Sequence, residues 1–461
     1  MPRRHLLQLV CLAVLAAALP HAPGQAQQSS GATRLSSADE AAALAWLKKS
    51  GYPLSSESPP PSELKPLLVR LDGARVIGLG EATHGTHEDF AFKVALIKAL
   101  AGAGRINAVA FITGYQSGKR LDAYVAGGPG TAAEALRASG LSPAWVSEEV
   151  ADLLDWLRRW NGAGEHRVRV VGVDVQDVLR DTQAALELLS AIEPDAVGPL
   201  RERWKGQLTP EQLQRPFAQV ARGWTRAQWE EFFVAAQVLE DLLARPTTRL
   251  RQAPGYADAR HAARAARLGL LTFEVSATAT SSPAPSAETE LARDLSIGEQ
   301  LLAIVGPPAR AVLWAHDAQV ARGAAGRTAA YSTGDLLLDR LGAGYRTVGF
   351  AWRRGAFHAL SRDAAGNADG AAGFKAWKVA LPADSLGALL ARSGQRRAWF
   401  DLAALPEAPW SRRWLAHPYE RGWVGLATGG ETAPPAALGH AFDVVVFFDT
   451  ITPSRLLRLT P

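Results

Sequence analysis

Residues 74–88 read ARVIGLGEATHGTHE, and this stretch decides the fold class. Ala74–Leu79 is a mostly apolar run without two-residue alternation, the pattern of a strand covered on both faces. It ends in a polar turn containing Gly80 and Gly85. Thr86 can then cap a helix, because Phe90, Val94, Ile97 and Ala101 recur at i, i+4, i+7 and i+11. The unit is strand, polar turn, helix. Runs of the same kind recur at Ala108–Ile112 (AVAFI), Val168–Val173 (VRVVGV), Arg310–Ala315 (RAVLWA), Tyr345–Phe350 (YRTVGF) and Phe442–Phe448 (FDVVVFF). A helical pattern from Ser147 to Trp160, with Val150, Leu153, Leu154 and Leu157 on one face, lies between two of them. Strands of this kind alternating with helices predict an α/β fold: a largely parallel β-sheet covered by helices on both faces.

The strand signal disappears between about residues 178 and 300. Thr209-Pro210-Glu211 is a helix start with Pro at the first helical position, Trp224 to Ala244 and Ala257 to Thr272 are helix-like, and residues 277–286 form a Ser/Thr/Ala/Pro-rich loop. The expected organisation is a signal peptide over 1–26, an N-terminal linker and helix over 27–60, the first part of the α/β core over 61–177, a helical insertion over 178–300 and the second part of the core over 301–461. Ser37-Ala38-Asp39-Glu40 is a capping-box pattern opening a helix that runs to about Lys49, and Gly51 to Ser62 is a Pro/Ser-rich connector.

Composition narrows the function classes. With 461 residues, 48% apolar and 21% charged, 42 Gly and 28 Pro, the chain is neither disordered, collagenous nor a coiled coil. The net charge of +5 is spread without a basic run or stripe, which argues against a nucleic-acid partner. Residues 2–5 (PRRH) are basic, residues 6–19 are apolar, and small residues lead to Ala26, the layout of a secretory signal peptide cleaved near Ala26. A signal anchor is the competing reading, although the apolar stretch is short for a membrane span. Cys11 in that stretch is the single cysteine, so a processed chain has no disulfide, thiolate metal site or cysteine nucleophile. No later run reaches 18 uninterrupted apolar residues, so no membrane attachment is expected after cleavage, and the chain is expected to be periplasmic or extracellular.

In an open parallel sheet, ligands bind beyond the carboxyl ends of the strands. Three polar clusters follow such ends: Glu81, His84, His87 and Glu88 after the first; Asp174, Gln176 and Asp177 after the third; His316, Asp317 and Gln319 after the fourth. Glu81 and His84 are three apart in a glycine-flanked turn. A carboxylate there can orient an imidazole and raise its basicity, making a general base. Alternatively, Glu81 caps the next helix and His84 is a satisfied turn histidine. His84, His87, Glu88 and His316 also offer metal-ligating atoms, but Glu-x-x-His occurs once and in a loop, so neither a metal nor a cofactor is expected. The dinucleotide fingerprint fails at Thr83, and Gly114-Tyr115-Gln116-Ser117-Gly118 does not have nucleophile-elbow spacing. Of the fourteen tryptophans, Trp145, Trp156 and Trp160 fall near one helix and Trp204, Trp224 and Trp229 in the insertion; most are expected in the core, two or three at a site.

Val76–Glu88 (VIGLGEATHGTHE) closely resembles the opening signature of the erythromycin esterase family. The resemblance continues in order through Ala108–Gly128, Trp145–Asn161, Val168–Gln176, Arg293-Asp294, Leu313–Arg322 (LWAHDAQVAR), Tyr345–Phe357 and Phe442–Pro453, covering roughly residues 60–455. It implies hydrolysis of a carboxylic ester or macrolide lactone, a small-molecule substrate linked to antibiotic response, by imidazole-activated water without a covalent intermediate or required metal. His84 takes the general-base position, Glu81 its carboxylate partner, and His316 the first histidine of the second motif. Lys93, Trp145, Asp174, Gln176 and Gln319 are the implied substrate-binding positions. The chain departs from the family pattern in three places: Ile112 stands where a Glu is expected, Gln319 replaces a second histidine, and Lys93 replaces an Arg. Gln319 can hydrogen-bond but cannot shuttle a proton, and Lys93 keeps the charge without the bidentate fork. Two functions therefore stand: a hydrolase in which Glu81, His84 and His316 suffice, and a catalytically lapsed binding protein that keeps the cleft.

Overall fold

The computed structural model describes residues 35–164, 166–278, 287–323, 331–363 and 368–457. The expected signal peptide, with Cys11, and most of the 277–286 loop lie outside these residues. Twelve strands are present in the described chain: β1 (Gly51–Pro53), β2 (Val76–Leu79), β3 (Ala108–Gly114), β4 (Arg169–Asp174), β5 (Ala311–Trp314), β6 (Tyr345–Arg362), β7 (Ala368–Ala380), β8 (Arg397–Asp401), β9 (Pro418–Tyr419), β10 (Ala427–Thr428), β11 (Ala436–Ala437) and β12 (Val444–Ile451). The main sheet has the order β1-β8-β12-β6-β2-β5-β3-β4, with β7 and β10 also paired to β6. Every pairing from β12 to β4 is parallel, whereas β8 joins β12, β1 joins β8 and β7 joins β6 antiparallel. The molecule is therefore an α/β protein with a mostly parallel mixed sheet.

All six expected strands are present, and their continuous apolar character matches their burial: every residue of β2, β3 and β5 is buried. Strands β1 and β7 to β11 were not expected. β7 (ADGAAGFKAWKVA) is poor in large apolar residues because it continues β6 as a hairpin arm beyond the parallel sheet. β1 is a three-residue edge strand inside the expected connector. The first described helix, Ser37–Ser50, is capped by Ser36, which accepts from Asp39 N–H, one residue earlier than the Ser37 box predicts.

The helix after β2, His87–Gly102, is buried on nearly all sides, as an all-round apolar helix must be. Phe90 meets Trp314 of β5 at 5.4 Å between ring centroids, and Phe92 meets Phe350 of β6 and Phe448 of β12 at 5.9 and 6.4 Å. This helix thus packs against β5, β6 and β12. Between β4 and β5 the ordered elements among the described residues are all helices, from Val178–Ile192 to Ala287–Ile304. There Trp204, Trp224 and Trp229 join Phe217, Phe232 and Phe273 in one aromatic cluster with centroid distances of 4.9–6.2 Å. These tryptophans fill the helical layer, and Trp156 and Trp160 stack on each other at 5.1 Å.

β2 lies between β6 and β5. The chain leaves β2 toward β3 on one side and leaves β5 toward β6 on the other. Connections that run in opposite directions from neighbouring strands open a crevice at the carboxyl ends of these strands. Glu81 and His316 each sit two residues past those ends.

Candidate active site

Glu81 is fully buried and accepts four hydrogen bonds. Its Oε1 receives His84 Nδ1 at 2.6 Å and Trp145 Nε1 at 2.7 Å; its Oε2 receives Lys93 Nζ at 2.5 Å and Trp314 Nε1 at 3.0 Å. Burial is the largest influence on this carboxyl and pushes its pKa up. The charges and hydrogen bonds of Lys93 and His84 together overcome it, holding Glu81 down at about 2. Glu81 is thus an anion whose acceptor positions are all occupied by donors fixed on four different segments.

Lys93 is also fully buried, one and a half turns into the His87–Gly102 helix. Its ammonium lies 4.4 Å from the Trp314 ring centroid and reaches the Ala315 carbonyl at 3.4 Å. Two more buried carboxyls lie nearby. Asp89 accepts from Ala82 N–H at 3.2 Å, and burial pushes it up to about 7. Asp317 accepts from Phe350 N–H at 3.1–3.2 Å and is raised chiefly by burial. Gly80 makes room for Asp317: a Cβ at position 80 would lie 1.8 Å from Asp317 Oδ1. Gly85 is equally constrained, since a Cβ there would lie 2.0 Å from the His358 carbonyl oxygen.

Because Nδ1 of His84 meets a carboxylate, the neutral ring is assigned its proton on Nδ1, which leaves the lone pair on Nε2. The described residues offer Nε2 no hydrogen-bond partner, and the His84 side chain is 19% exposed. Its ring is walled by Trp145, edge-on at 5.5 Å, and by His316 at 5.0 Å. A histidine with one nitrogen on a buried carboxylate and the other open is arranged to accept a proton.

His316 is in a different state. It is buried, its Nδ1 accepts from Ala318 N–H at 3.0 Å, and its Nε2 lies 3.2 Å from both the Ala82 and the Val424 carbonyl oxygens. Burial is the main cause that holds its pKa down at about 3. Both nitrogens are spent on backbone partners, so the proton-carrying role that the second motif implies has no free atom to use.

The other expected positions divide into two groups. Trp145 belongs to the Glu81 network. Lys93 lies beneath Glu81 with no exposed surface, so it holds the carboxylate and does not meet a substrate directly. Gln319 accepts from His316 N–H at 3.4 Å as part of the cap of a short helix. Asp174 lies at the end of β4, separated from β5 by β3, and is gripped by Arg293 Nη2 at 2.6 Å and by the Gln176 amide. Ile112 is buried in the hydrophobic core. The four residues that offered metal-ligating atoms have these partners: His84 is on Glu81, His87 on Glu149 at 2.7 Å, Glu88 on Thr452, and His316 on carbonyls. Among the described residues no three His, Cys, Asp or Glu side chains converge as a metal site, and no helix is long and apolar enough to cross a membrane.

Sequence reasoning missed Trp314, Asp89, Trp423 and Val424. Trp314 is the last residue of β5, so its place beside two strand-end motifs was a usable signal. Trp423 and Val424 lie on a segment far along the chain: Val424 bridges Thr83 and donates to the Ala82 carbonyl at 2.9 Å, and Trp423 meets His316 edge-on at 5.8 Å. Nothing local announces that contact.

Comparison with known proteins bears on the fold and the family. A Bacillus cereus protein of known structure superposes with a TM-score of 0.78 at 22% identity, covering 91% of this chain and 99% of its own. A histidine-to-asparagine variant of erythromycin esterase EreC, in its open conformation, superposes with a TM-score of 0.62 at 17% identity over 89% of this chain and 99% of EreC. At these identities the likeness concerns the fold. YbfO of Bacillus subtilis (strain 168), named as a candidate hydrolase, is 27% identical over 161 residues, 32% of this chain, and the alignment spans only a third of YbfO. The erythromycin esterase family model matches residues 106–451, three-quarters of the chain, beginning after the Glu81–His84 turn. The protein is a member of the erythromycin esterase family.

Proposed function

We propose that the protein hydrolyses a carboxylic ester or lactone with His84 as general base. One observation carries this reading: His84 Nδ1 is held at 2.6 Å by a fully buried, ionised Glu81 while Nε2 has no hydrogen-bond partner among the described residues. In the proposed step Nε2 takes a proton from water as the water oxygen bonds to the ester carbonyl carbon. Glu81 stabilises the imidazolium that results. Collapse of the tetrahedral intermediate breaks the acyl C–O bond, and the imidazolium returns the proton to the leaving alkoxide, giving acid and alcohol. General-base assistance of this kind contributes on the order of 10²–10⁴ in rate. Membership in the family and the hydrolase relative support the reaction class. A macrolide lactone, a role in antibiotic response, independence from metals and action outside the cytoplasm after loss of residues 1–26 belong to the same proposal.

The test is to incubate the chain lacking residues 1–26 with erythromycin and a panel of simple esters and lactones, with and without chelator, following products by mass spectrometry. A lactone should give one product heavier by one water and a simple ester its separate acid and alcohol, and His84→Ala should abolish both. Undiminished hydrolysis by His84→Ala removes this histidine from the mechanism. A second reading, a binding protein that has lost catalysis, draws on Ile112, which brings no carboxylate to the end of β3, and on Gln319, whose amide oxygen is spent on the backbone. Ligand binding without turnover by the parent chain would favour it.

A further inference from the structure

His316 poses a specific problem. It follows β5 at the mouth of the crevice, in ring contact with the proposed base, yet neither nitrogen is available. Its donor and acceptor pattern settles the tautomer: Ala318 N–H points at Nδ1, so the proton is on Nε2, and Nε2 faces two carbonyls. Those carbonyls belong to segments more than three hundred residues apart in sequence. Ala82 is on the turn that carries Glu81 and His84, and Val424 is on the segment that bridges that turn at Thr83. A single N–H between two carbonyls joins them where β5 ends.

The chemistry of the position also selects an uncharged imidazole. The helix Asp317–Val320 is capped by the His316 ring, a place usually filled by Ser, Thr, Asp or Asn. An Asp would cap but could not donate to Ala82 and Val424; a Ser reaches less far. A neutral imidazole has an acceptor on one side and a donor on the other. The ring is buried, with the His84 ring beside it and the Trp423 ring edge-on against it. The titratable neighbours that bear on it are His84, whose charge would oppose a second one, and Glu81, whose charge would favour it. In the proposed reaction His84 becomes an imidazolium. A second cation 5.0 Å away between ring centroids would oppose that, and a neutral ring does not.

We infer that His316 is a positioning residue that stays neutral throughout turnover, its ring clamping the Val424 segment to the catalytic turn and walling His84, and that it carries no proton in the reaction. This rests on the proposed role of His84, but one arm of the test does not depend on activity.

The first arm is nitrogen-15 imidazole NMR on the chain lacking residues 1–26, with the His316 signal assigned by its loss in His316→Gln. The expected signal is a neutral ring protonated on Nε2 and unchanged from pH 8 to pH 5. An imidazolium pattern or an Nδ1-protonated ring in that range overturns the inference. The second arm is kinetic. Glutamine carries both an amide donor and a carbonyl acceptor but cannot exchange a proton. His316→Gln should keep kcat within roughly tenfold of the parent, with the same pH–rate profile. His316→Ala, which leaves the turn unclamped, should lose roughly 10²-fold, the scale of a small misplacement of the base. A folded His316→Gln as inactive as His84→Ala overturns the inference. If the parent hydrolyses no ester, the function proposal fails and the NMR arm still decides the state of His316.

Discussion

Replacing Lys93 by Met removes the one Lys or Arg among the described residues that pairs with Glu81. The ion pair is 2.5 Å long, and neither side chain has any exposed surface. Breaking a buried pair by deleting one partner costs about 3–5 kcal/mol, because the remaining charge is left uncompensated. The sign of the pH dependence follows. In the parent, Glu81 is depressed from 4.5 to about 2, so its contribution is present above pH 4.5 and is lost as pH falls toward 2. In Lys93→Met burial prevails and the folded pKa moves above 4.5. The contribution then reverses: stability falls as pH rises through 4.5. Urea denaturation of both proteins at pH 4.5 and pH 8 measures this, and the gap should widen to about 3–5 kcal/mol at pH 8. Combining Lys93→Met with Glu81→Gln removes both charges and should recover most of the loss, a coupling that a double-mutant cycle isolates. A gap below about 1 kcal/mol at both pH values, with no recovery in the double variant, would refute the argument that Lys93 holds Glu81 ionised.

Other outcomes follow from the same site. Gly80→Ala forces a Cβ onto Asp317 Oδ1 and should cost about 1–3 kcal/mol in urea titrations, with loss of hydrolysis; a variant as stable as the parent would mean that the turn and Asp317 can separate. Trp314→Phe keeps the ring but removes the 3.0 Å donor to Glu81, and should cost about 1.5–3 kcal/mol, the worth of a hydrogen bond to a charged group. His87 is raised above 6.5, first by its hydrogen bond to Glu149, so it contributes stability that is full below pH 6.5 and lost as pH rises through the raised value. His87→Gln should therefore be less stable than the parent at pH 5.5, with the difference shrinking by pH 8.5. Equal differences at both pH values would show that His87 is not the titrating group.

Much of the site was legible because parallel sheets place chemistry at strand ends. Ala74–Leu79 and Arg310–Ala315 announce buried strands, and the polar residues directly after them, Glu81, His84 and His316, had to fall at one edge once the strands were neighbours. Even so, adjacency of β2 and β5, more than two hundred residues apart, is a tertiary fact. The edge strand β1 and the β7 arm of the β6–β7 hairpin were not legible, because β1 is only three residues long, β7 is poor in large apolar residues, and both are held by pairing rather than by burial on two faces.

By itself, then, the amino-acid sequence determined the apolar runs, the glycines that let the Glu81–His84 turn pass close to other backbone, and the placement of a carboxylate three residues before a histidine. These are local properties, dictated by sterics and hydrophobic burial within a few residues. Tertiary structure alone decided what each ionisable group became. Lys93 is a substrate-contact candidate by motif and a buried counter-ion in the fold. His316 is an acid–base candidate by motif and a saturated neutral ring in the fold. Ionisation and hydrogen-bond roles depend on burial and on partners from distant segments, here Trp145, Trp314, Ala82 and Val424, and only folding brings those together.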